Sequence, residues 1–120
     1  MRYSPSSAEY IAQQFRDCLE GIGLYAPNLV KRIGPSGWKA RHKGNCVEFN
    51  FSGHNYLVDF SVKDSAVIAI LETRVGEEEV RLFSGRINFK KSPAGKISPP
   101  SLVRFYEDVV VRNIIGFINK

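Results

Sequence analysis

Three carboxylates in the middle of the chain have the residue types and the spacing to support chemistry. Glu48, Asp59 and Glu72 each lie in a stretch that has the pattern of a β-strand. A four-residue loop at 52–55 would place Glu48 directly opposite Asp59, with Glu72 diagonal to Asp59. Like charges in such positions repel, and a raised pKa, a metal ion or a nearby base relieves the repulsion. The spacing predicts either a metal-binding cluster or a solvated strand pair whose charge is offset by basic neighbours.

The same residues resemble, over three positions, the D…(D/E)-x-K motif of metal-dependent nucleases. Asp59 is followed, after twelve residues, by Glu72-Thr73-Arg74. In that family two acidic groups hold Mg²⁺ and a lysine positions the attacking water. Arg74 stands where the motif has lysine, and a guanidinium does not give up its proton. A nuclease with Glu48, Asp59 and Glu72 as metal ligands is therefore the second alternative function.

The cysteines and histidines do not form a ligand or nucleophile pattern. Cys18 and Cys46 lack CxxC spacing, and His42 and His54 are scattered. A structural zinc site requires about four such ligands at short spacing, and a catalytic nucleophile requires a base held beside it. We predict no cofactor and favour a protein that is not an enzyme.

Basic residues are concentrated towards the two ends of the chain. Residues 1–45 carry seven Lys or Arg against three Asp or Glu, residues 46–80 carry two against seven, and residues 81–120 carry eight against two. Phosphates bind clustered cations, and unpaired bases stack on aromatic rings. The first alternative function is nucleic-acid binding at a basic end of the sheet, through Lys31, Arg32, Trp38, Lys39, Arg41 and Lys43. A second basic group comprises Lys90, Lys91 and Lys96.

These side chains must be positioned by a sheet, and residues 55–75 show its central pair of strands. Tyr56, Val58 and Phe60 alternate with polar residues, which places them on one face. Residues 66–71 are apolar without a break, as in a central strand that is covered on both faces. Residues 38–51 have the pattern of one further long strand.

Turn lengths predict how the strands pair. The predicted connections are a two-residue turn at 64–65, a three-residue loop at 76–78 and a four-residue loop at 52–55. All three place large apolar residues on the same face, which supports an antiparallel meander. The predicted opposing pairs are Val62 with Val67, Phe60 with Ala69, Leu71 with Phe83, and Phe49 with Val58.

Helical periodicity on both sides of the sheet completes a predicted α+β fold. A capping box at Ser6 opens the first helix, and Ser98 with Pro99 opens the second. We predict an N-terminal helix, an antiparallel meander of four strands, or five as the alternative, and a C-terminal helix. Both helices pack on one sheet face, in a single domain spanning residues 1–120. Residues 24–33 form either a strand or a cover for the other face.

The face without helices is predicted to carry an apolar strip of Leu57, Ile68, Ile70 and Leu82, with Arg86 at its edge. A solvated sheet face usually carries polar residues throughout, so an apolar strip with a polar rim indicates a contact surface. The leading hypothesis is a non-catalytic binding protein that acts by protein–protein contact, of the inhibitor, immunity, chaperone or accessory-subunit type. Its partner would be another protein, acidic if the basic end takes part, or a second copy forming a homodimer.

The sequence carries no signal for a membrane partner. The longest apolar run, residues 66–71, is far too short to span a bilayer. The first residues lack the apolar core of a signal peptide. We expect a cytoplasmic protein.

Overall fold

The computed structural model describes residues 7–28 and 40–120. Within these residues, a helix and a single helical turn precede a sheet of five antiparallel strands, and a long helix follows the sheet. The predicted α+β class and the antiparallel meander are confirmed. The elements are α1 (Ala8–Glu20), α2 (Ile22–Tyr25), β1 (Ala40–Lys43), β2 (Cys46–Phe51), β3 (His54–Lys63), β4 (Ala66–Val75), β5 (Glu78–Ile87), α3 (Pro99–Phe105), a π-helical segment (Tyr106–Val111) and α4 (Arg112–Ile118).

Helix α1 is capped by Ser7, because the Ser7 hydroxyl accepts a hydrogen bond from the Tyr10 amide at 3.1 Å. The predicted cap, Ser6, lies outside the described residues. Helix α1 buries one apolar stripe, formed by Ile11, Ala12, Phe15, Cys18 and Leu19. Gly21 follows α1 with φ of −99°, which lies outside the left-handed region. A Cβ at Gly21 would lie 2.9 Å from the Tyr25 ring, which is half-exposed and would have to move aside.

The C-terminal helix begins at Pro99 after Ser98, as predicted. Its middle winds as a π-helix, in which the Arg112 amide reaches back to the Glu107 carbonyl. The Asn113 side-chain amide donates to the Val109 carbonyl at 2.6 Å. This bond provides a donor for a carbonyl within the π-helical segment.

Two of the three predicted hairpins have the predicted register over most of their length. Val62 lies opposite Val67 across a turn in which Asp64 and Ser65 have φ of 52° and 66°. Leu71 lies opposite Phe83. The predicted three-residue loop is wrong, because a two-residue turn at 76–77 and a β-bulge replace it. The turn is one residue shorter than predicted, and the bulge adds one residue to β5. The two changes cancel, so the pairs beyond the bulge keep the predicted register.

The β2–β3 hairpin is tighter than predicted. Ser52 and Gly53 form a two-residue turn, with φ of 51° and 84°. Phe49 therefore lies opposite Tyr56, and the predicted pair of Phe49 with Val58 is wrong. The shift is two residues, so every side chain keeps its predicted face.

The predicted long strand at 38–51 is divided into two. A turn at Gly44 and Asn45, with φ of 60° at Gly44, folds β1 back onto β2. This hairpin supplies the fifth strand. The described part of residues 24–33 lies with the helices, since α2 packs against α1 and α3, and residues 29–33 lie outside the described residues.

The core lies between one sheet face and the two long helices. Helix α1 packs across β1, β2 and β3, and α4 packs on β5. Phe15 of α1 and Phe105 of α3 both contact the Phe60 ring of β3, at centroid distances of 5.7 and 5.8 Å. Both helices therefore cover the same face, and no helix of the described residues packs on the other face.

A search of the described helices finds none that is long and apolar enough to cross a membrane.

Candidate interaction face of the sheet

The outer face of the sheet is the side that points away from the helices. Along β3, Tyr56, Val58 and Phe60 are buried, whereas Leu57 and Asp59 are only half-buried. The strand pairing extends this alternation across all five strands. Residues of the outer face include Arg41, Lys43, Cys46, Glu48, Leu57, Asp59, Ser61, Ile68, Ile70, Glu72, Arg81, Ser84 and Arg86.

One row across this face has a symmetric charge pattern. In the order β1 to β5 it runs Arg41, Glu48, Leu57, Glu72 and Arg81. Each carboxylate has an oppositely charged residue on one side and the leucine on the other. Opposite charges facing each other across strands contribute about 0.2–1 kcal/mol per pair. The two glutamates thus stand on either side of an apolar centre, with Arg41 and Arg81 beyond them on the edge strands.

The predicted cluster of facing carboxylates does not form. Glu48 lies opposite Leu57, and Asp59 lies opposite Cys46, because the β2–β3 turn has two residues and not four. Among the described residues, no group of three or more His, Cys, Asp or Glu side chains could hold a metal ion. Glu72 stays diagonal to Asp59, as predicted, so the pair lost from the predicted cluster is Glu48 with Asp59.

The apolar strip is smaller than predicted. Leu57, Ile68 and Ile70 lie on the outer face and are half-buried. Leu82 is the extra residue of the β-bulge, and it packs against the core together with Phe83. Its predicted place in the strip is wrong, because the bulge turns its side chain to the helix side. We name the three remaining residues the aliphatic strip.

A hollow of about 370 Å³ adjoins the aliphatic strip. Leu57 lines it, with Glu48 and Glu72 to the sides. At its end Arg74 Nη2 lies 3.3 Å from Glu79 Oε1, and both side chains are about two-thirds exposed. Three carboxylates and one paired guanidinium give the hollow a negative balance. Its chemistry suits a lysine or arginine side chain, whose apolar stem would lie on Leu57.

Cys46 is the one thiol on this face, and it is half-buried beside Asp59. Burial raises the pKa of the Cys46 thiol above its usual value, and the negative charge and hydrogen bonding of Asp59 raise it further, with a smaller effect from Glu72. The thiol therefore stays protonated at neutral pH. A protonated thiol is a weak nucleophile, which argues for a packing role.

Only part of the predicted nucleic-acid site is described. Arg41 and Lys43 are exposed and lie on the outer face, because the turn at Gly44 directs both away from the core. Lys31, Arg32, Trp38 and Lys39 lie outside the described residues. The outer-face residues of the five strands include no aromatic side chain on which a base could stack. The Gly44-Asn45 pair is a hairpin signal in the sequence that could have predicted this arrangement.

Comparison of the chain with protein-family models, with curated proteins and with solved structures found no match. Function must therefore be inferred from the residues and their arrangement. The outer face offers three aliphatic side chains, an acidic hollow and cations at both sheet edges. Such a combination suits contact with a surface that carries both apolar and charged groups.

Proposed function

We propose that the protein is a non-catalytic binding protein that contacts another protein through the outer face of its sheet. The observation that supports this is the aliphatic strip, which is half-buried on the face away from both long helices. Ile68 and Ile70 are neighbours on one strand, and Leu57 is diagonal to Ile70. Fully burying a side chain of this size contributes about 1.5–3 kcal/mol relative to full exposure. Covering the exposed part of three of them would contribute a few kcal/mol.

The charges around the strip indicate the chemistry of the partner. Glu48 and Glu72 stand next to Leu57, so the centre of the contact favours a basic side chain of the partner. Arg81 and Arg86 lie on the edge strand and favour acidic groups at that border. The partner surface we propose is therefore aliphatic with a central lysine or arginine and acidic residues at its margin.

Affinity capture from the native cell with Ile70→Glu tests this proposal. Docking would bury the charge of the new glutamate, which opposes the contact. The variant should therefore lose the partner that the wild type retains. Leu24→Glu is the matched control, because Leu24 is 84% exposed and lies on the helix side of the sheet. Equal capture by the wild type and both variants would contradict the proposal.

Ile70→Glu would place a carboxylate opposite Asp59, and the repulsion between the two charges could prevent folding. A second variant avoids this. Ile68→Glu places its carboxylate between Ser61 and Arg86, where a negative charge is tolerated. Circular dichroism establishes folding of each variant. A folded Ile68→Glu protein that retains the partner as well as the wild type does would count against the outer face.

A second copy of the chain is one form that the partner can take. Light scattering of the purified protein gives its mass directly. A dimer that becomes a monomer in Ile68→Glu identifies the homodimer as the complex. A monomer in both proteins removes self-association and leaves a different protein as the partner.

Nucleic-acid binding is a second candidate, favoured by the outward placement of Arg41 and Lys43 next to each other on one exposed edge strand. Phosphate contacts release counterions, so affinity for a fluorescent single-stranded oligonucleotide would fall steeply with salt. Arg41→Gln with Lys43→Gln should weaken binding and reduce the salt dependence. Binding that is absent, or is unchanged in the double variant, would rule out this use of β1.

We also propose that the protein is located in the cytoplasm. Cys18 is buried, Cys46 is half-buried, and both are free thiols. Thiols without a disulfide partner are typical of reducing compartments.

A further inference from the structure

A second surface lies where the end of β5 meets the start of the C-terminal helix. A hollow of about 320 Å³ opens there. Its apolar lining comprises Ile87, Phe89, Pro100, Phe105 and Val109. Three cations lie around it, Arg86, Lys90 and Arg104, against one carboxylate, Asp108. The hollow therefore combines an apolar floor with a positive rim.

A neighbouring hollow of about 390 Å³ continues this surface and shares Lys90 with it. Lys90, Lys91 and Lys96 line the second hollow, and the hydroxyls of Ser92 and Ser98 add polar groups. Among the described residues, no carboxylate lines it. We name the two hollows together the basic groove. Its five cations, all exposed, are Arg86, Lys90, Lys91, Lys96 and Arg104.

The loop that carries the lysines is held by several hydrogen bonds. The Ser92 amide donates to the Lys96 carbonyl at 2.9 Å, and the Lys96 amide donates to Ser92 Oγ at 3.2 Å. A β-bridge joins Lys91 to Ile97, and Ile97 is 1% exposed. Gln14 of α1 accepts from the Ile97 amide at 2.7 Å. The backbone positions of Lys91 and Lys96 are thus set before any ligand arrives, which lowers the entropy cost of binding.

We infer that the basic groove binds an acidic segment of a partner protein that also carries aliphatic side chains. Carboxylates would contact the lysines and Arg104, and an aliphatic side chain would lie on the apolar floor. This site differs from the aliphatic strip in place and in charge, although Arg86 borders both.

The rings in the groove explain why a peptide is favoured over a nucleic acid. Phe89 packs on Phe105 and on Phe60, at centroid distances of 5.4 and 6.4 Å. Phe105 is 4% exposed and also contacts Phe15. Phe105 is therefore part of the core, and Phe89 packs against the core with only part of its ring exposed. Single-stranded nucleic acids gain much of their affinity from stacking on accessible rings, whereas an aliphatic side chain requires only an apolar surface.

The test uses a fluorescent synthetic peptide of alternating glutamate and leucine, with fluorescence anisotropy at two salt concentrations. Lys91→Gln with Lys96→Gln should weaken binding about tenfold or more. Lys63→Gln with Lys120→Gln removes the same charge from exposed residues elsewhere and should leave the affinity unchanged. Equal weakening in both double variants would show a response to net charge alone and would overturn the inference.

Two further probes test separately the role of the peptide's apolar side chains and the preference for carboxylates over phosphates. A peptide with serine in place of leucine should bind more weakly, since it cannot use the floor. An oligothymidine of equal charge should also bind more weakly than the glutamate–leucine peptide. Tighter binding of the oligonucleotide, or no binding of the peptide at low salt, would overturn the inference. Ile70→Glu should leave peptide binding unchanged, so failure here is distinguishable from failure of the outer-face proposal.

Discussion

Cys46 and Asp59 face each other across β2 and β3 on the outer side of the sheet. The negative charge of Asp59 adds to the effect of burial and raises the pKa of the Cys46 thiol. Asp59→Asn removes that charge and lowers the pKa, so more thiolate is present at pH 8. We expect faster alkylation of Cys46 by iodoacetamide, followed by mass spectrometry.

The matched control for this prediction is Asp108→Asn, which removes an exposed carboxylate of the C-terminal helix. Its alkylation rate at Cys46 should equal that of the wild type. An unchanged rate in Asp59→Asn would mean that the two side chains do not interact, and would contradict the two-residue turn at Ser52 and Gly53.

The β2–β3 turn shows what alternation alone can and cannot predict. A turn of two residues and a loop of four differ by an even number, so both give the same faces, and the inward set was predicted correctly. The two lengths give different opposing pairs, and that difference separates Glu48 from Asp59. Ser52 adopts φ of 51° without being glycine, which no local pattern in the sequence indicates.

The β4–β5 hairpin shows the opposite case. Its bulge shifts the register by a single residue, and a shift of one residue moves a side chain to the other face. Residues 79–82 of β5 are affected, and Leu82 is the one that the predicted apolar strip contained. The basic groove could not be predicted from the sequence as a binding site, because its shape depends on how β5 packs against the helix that begins at Pro99. Its lysines were visible as a group, whereas its apolar floor depends on tertiary contacts.

Gly53→Ala should lower the free energy of unfolding by about 1 kcal/mol. Gly53 has φ of 84° and a Cβ there would meet nothing within 4 Å, so backbone strain alone causes the loss. Gly116→Ala is the matched control, because Gly116 is exposed within α4 and its Cβ also meets nothing. Helix propensity should raise its stability by up to about 1 kcal/mol. Urea unfolding measures both, and equal effects would contradict the assigned turn.

Cys18 should make stability depend on pH in the alkaline range. It is 3% exposed, and burial raises the pKa of its thiol from 9.0 to about 11. Between these values the unfolded chain loses the proton while the folded chain keeps it, so the stabilisation is complete below pH 9 and is lost as the pH rises to 11. The expected loss is about 1.4 kcal/mol per pH unit.

Cys18→Ala isolates this contribution from other groups that titrate in the same range. The variant should be less stable than the wild type at pH 7 by a small amount. As the pH rises towards 11, this difference in the free energy of unfolding should close and then reverse. Urea unfolding at a series of pH values measures the gap. A constant gap from pH 8 to 11 would show that the Cys18 thiol does not keep its proton in the folded state.

Gln14→Leu should loosen the loop at residues 91–97 of the basic groove without changing any charge. The Ile97 amide donates to Gln14 Oε1 and is buried, so the variant leaves it without its acceptor, at a cost of roughly 1–3 kcal/mol. Hydrogen exchange of the Ile97 amide should become faster. Gln13→Leu, the same change one position earlier in α1, is the control. Faster exchange in both variants alike would assign the effect to the helix as a whole.

Leu82→Glu and Ile68→Glu should differ in stability because their side chains lie on opposite faces of the sheet. Leu82 packs against the core, so a carboxylate there loses hydration and should lower the free energy of unfolding by about 2 kcal/mol or more. Ile68 faces outward between Ser61 and Arg86, and its replacement should cost about 1 kcal/mol or less. Thermal unfolding of the two variants measures the difference. Equal losses would place Leu82 on the outer face and return it to the aliphatic strip.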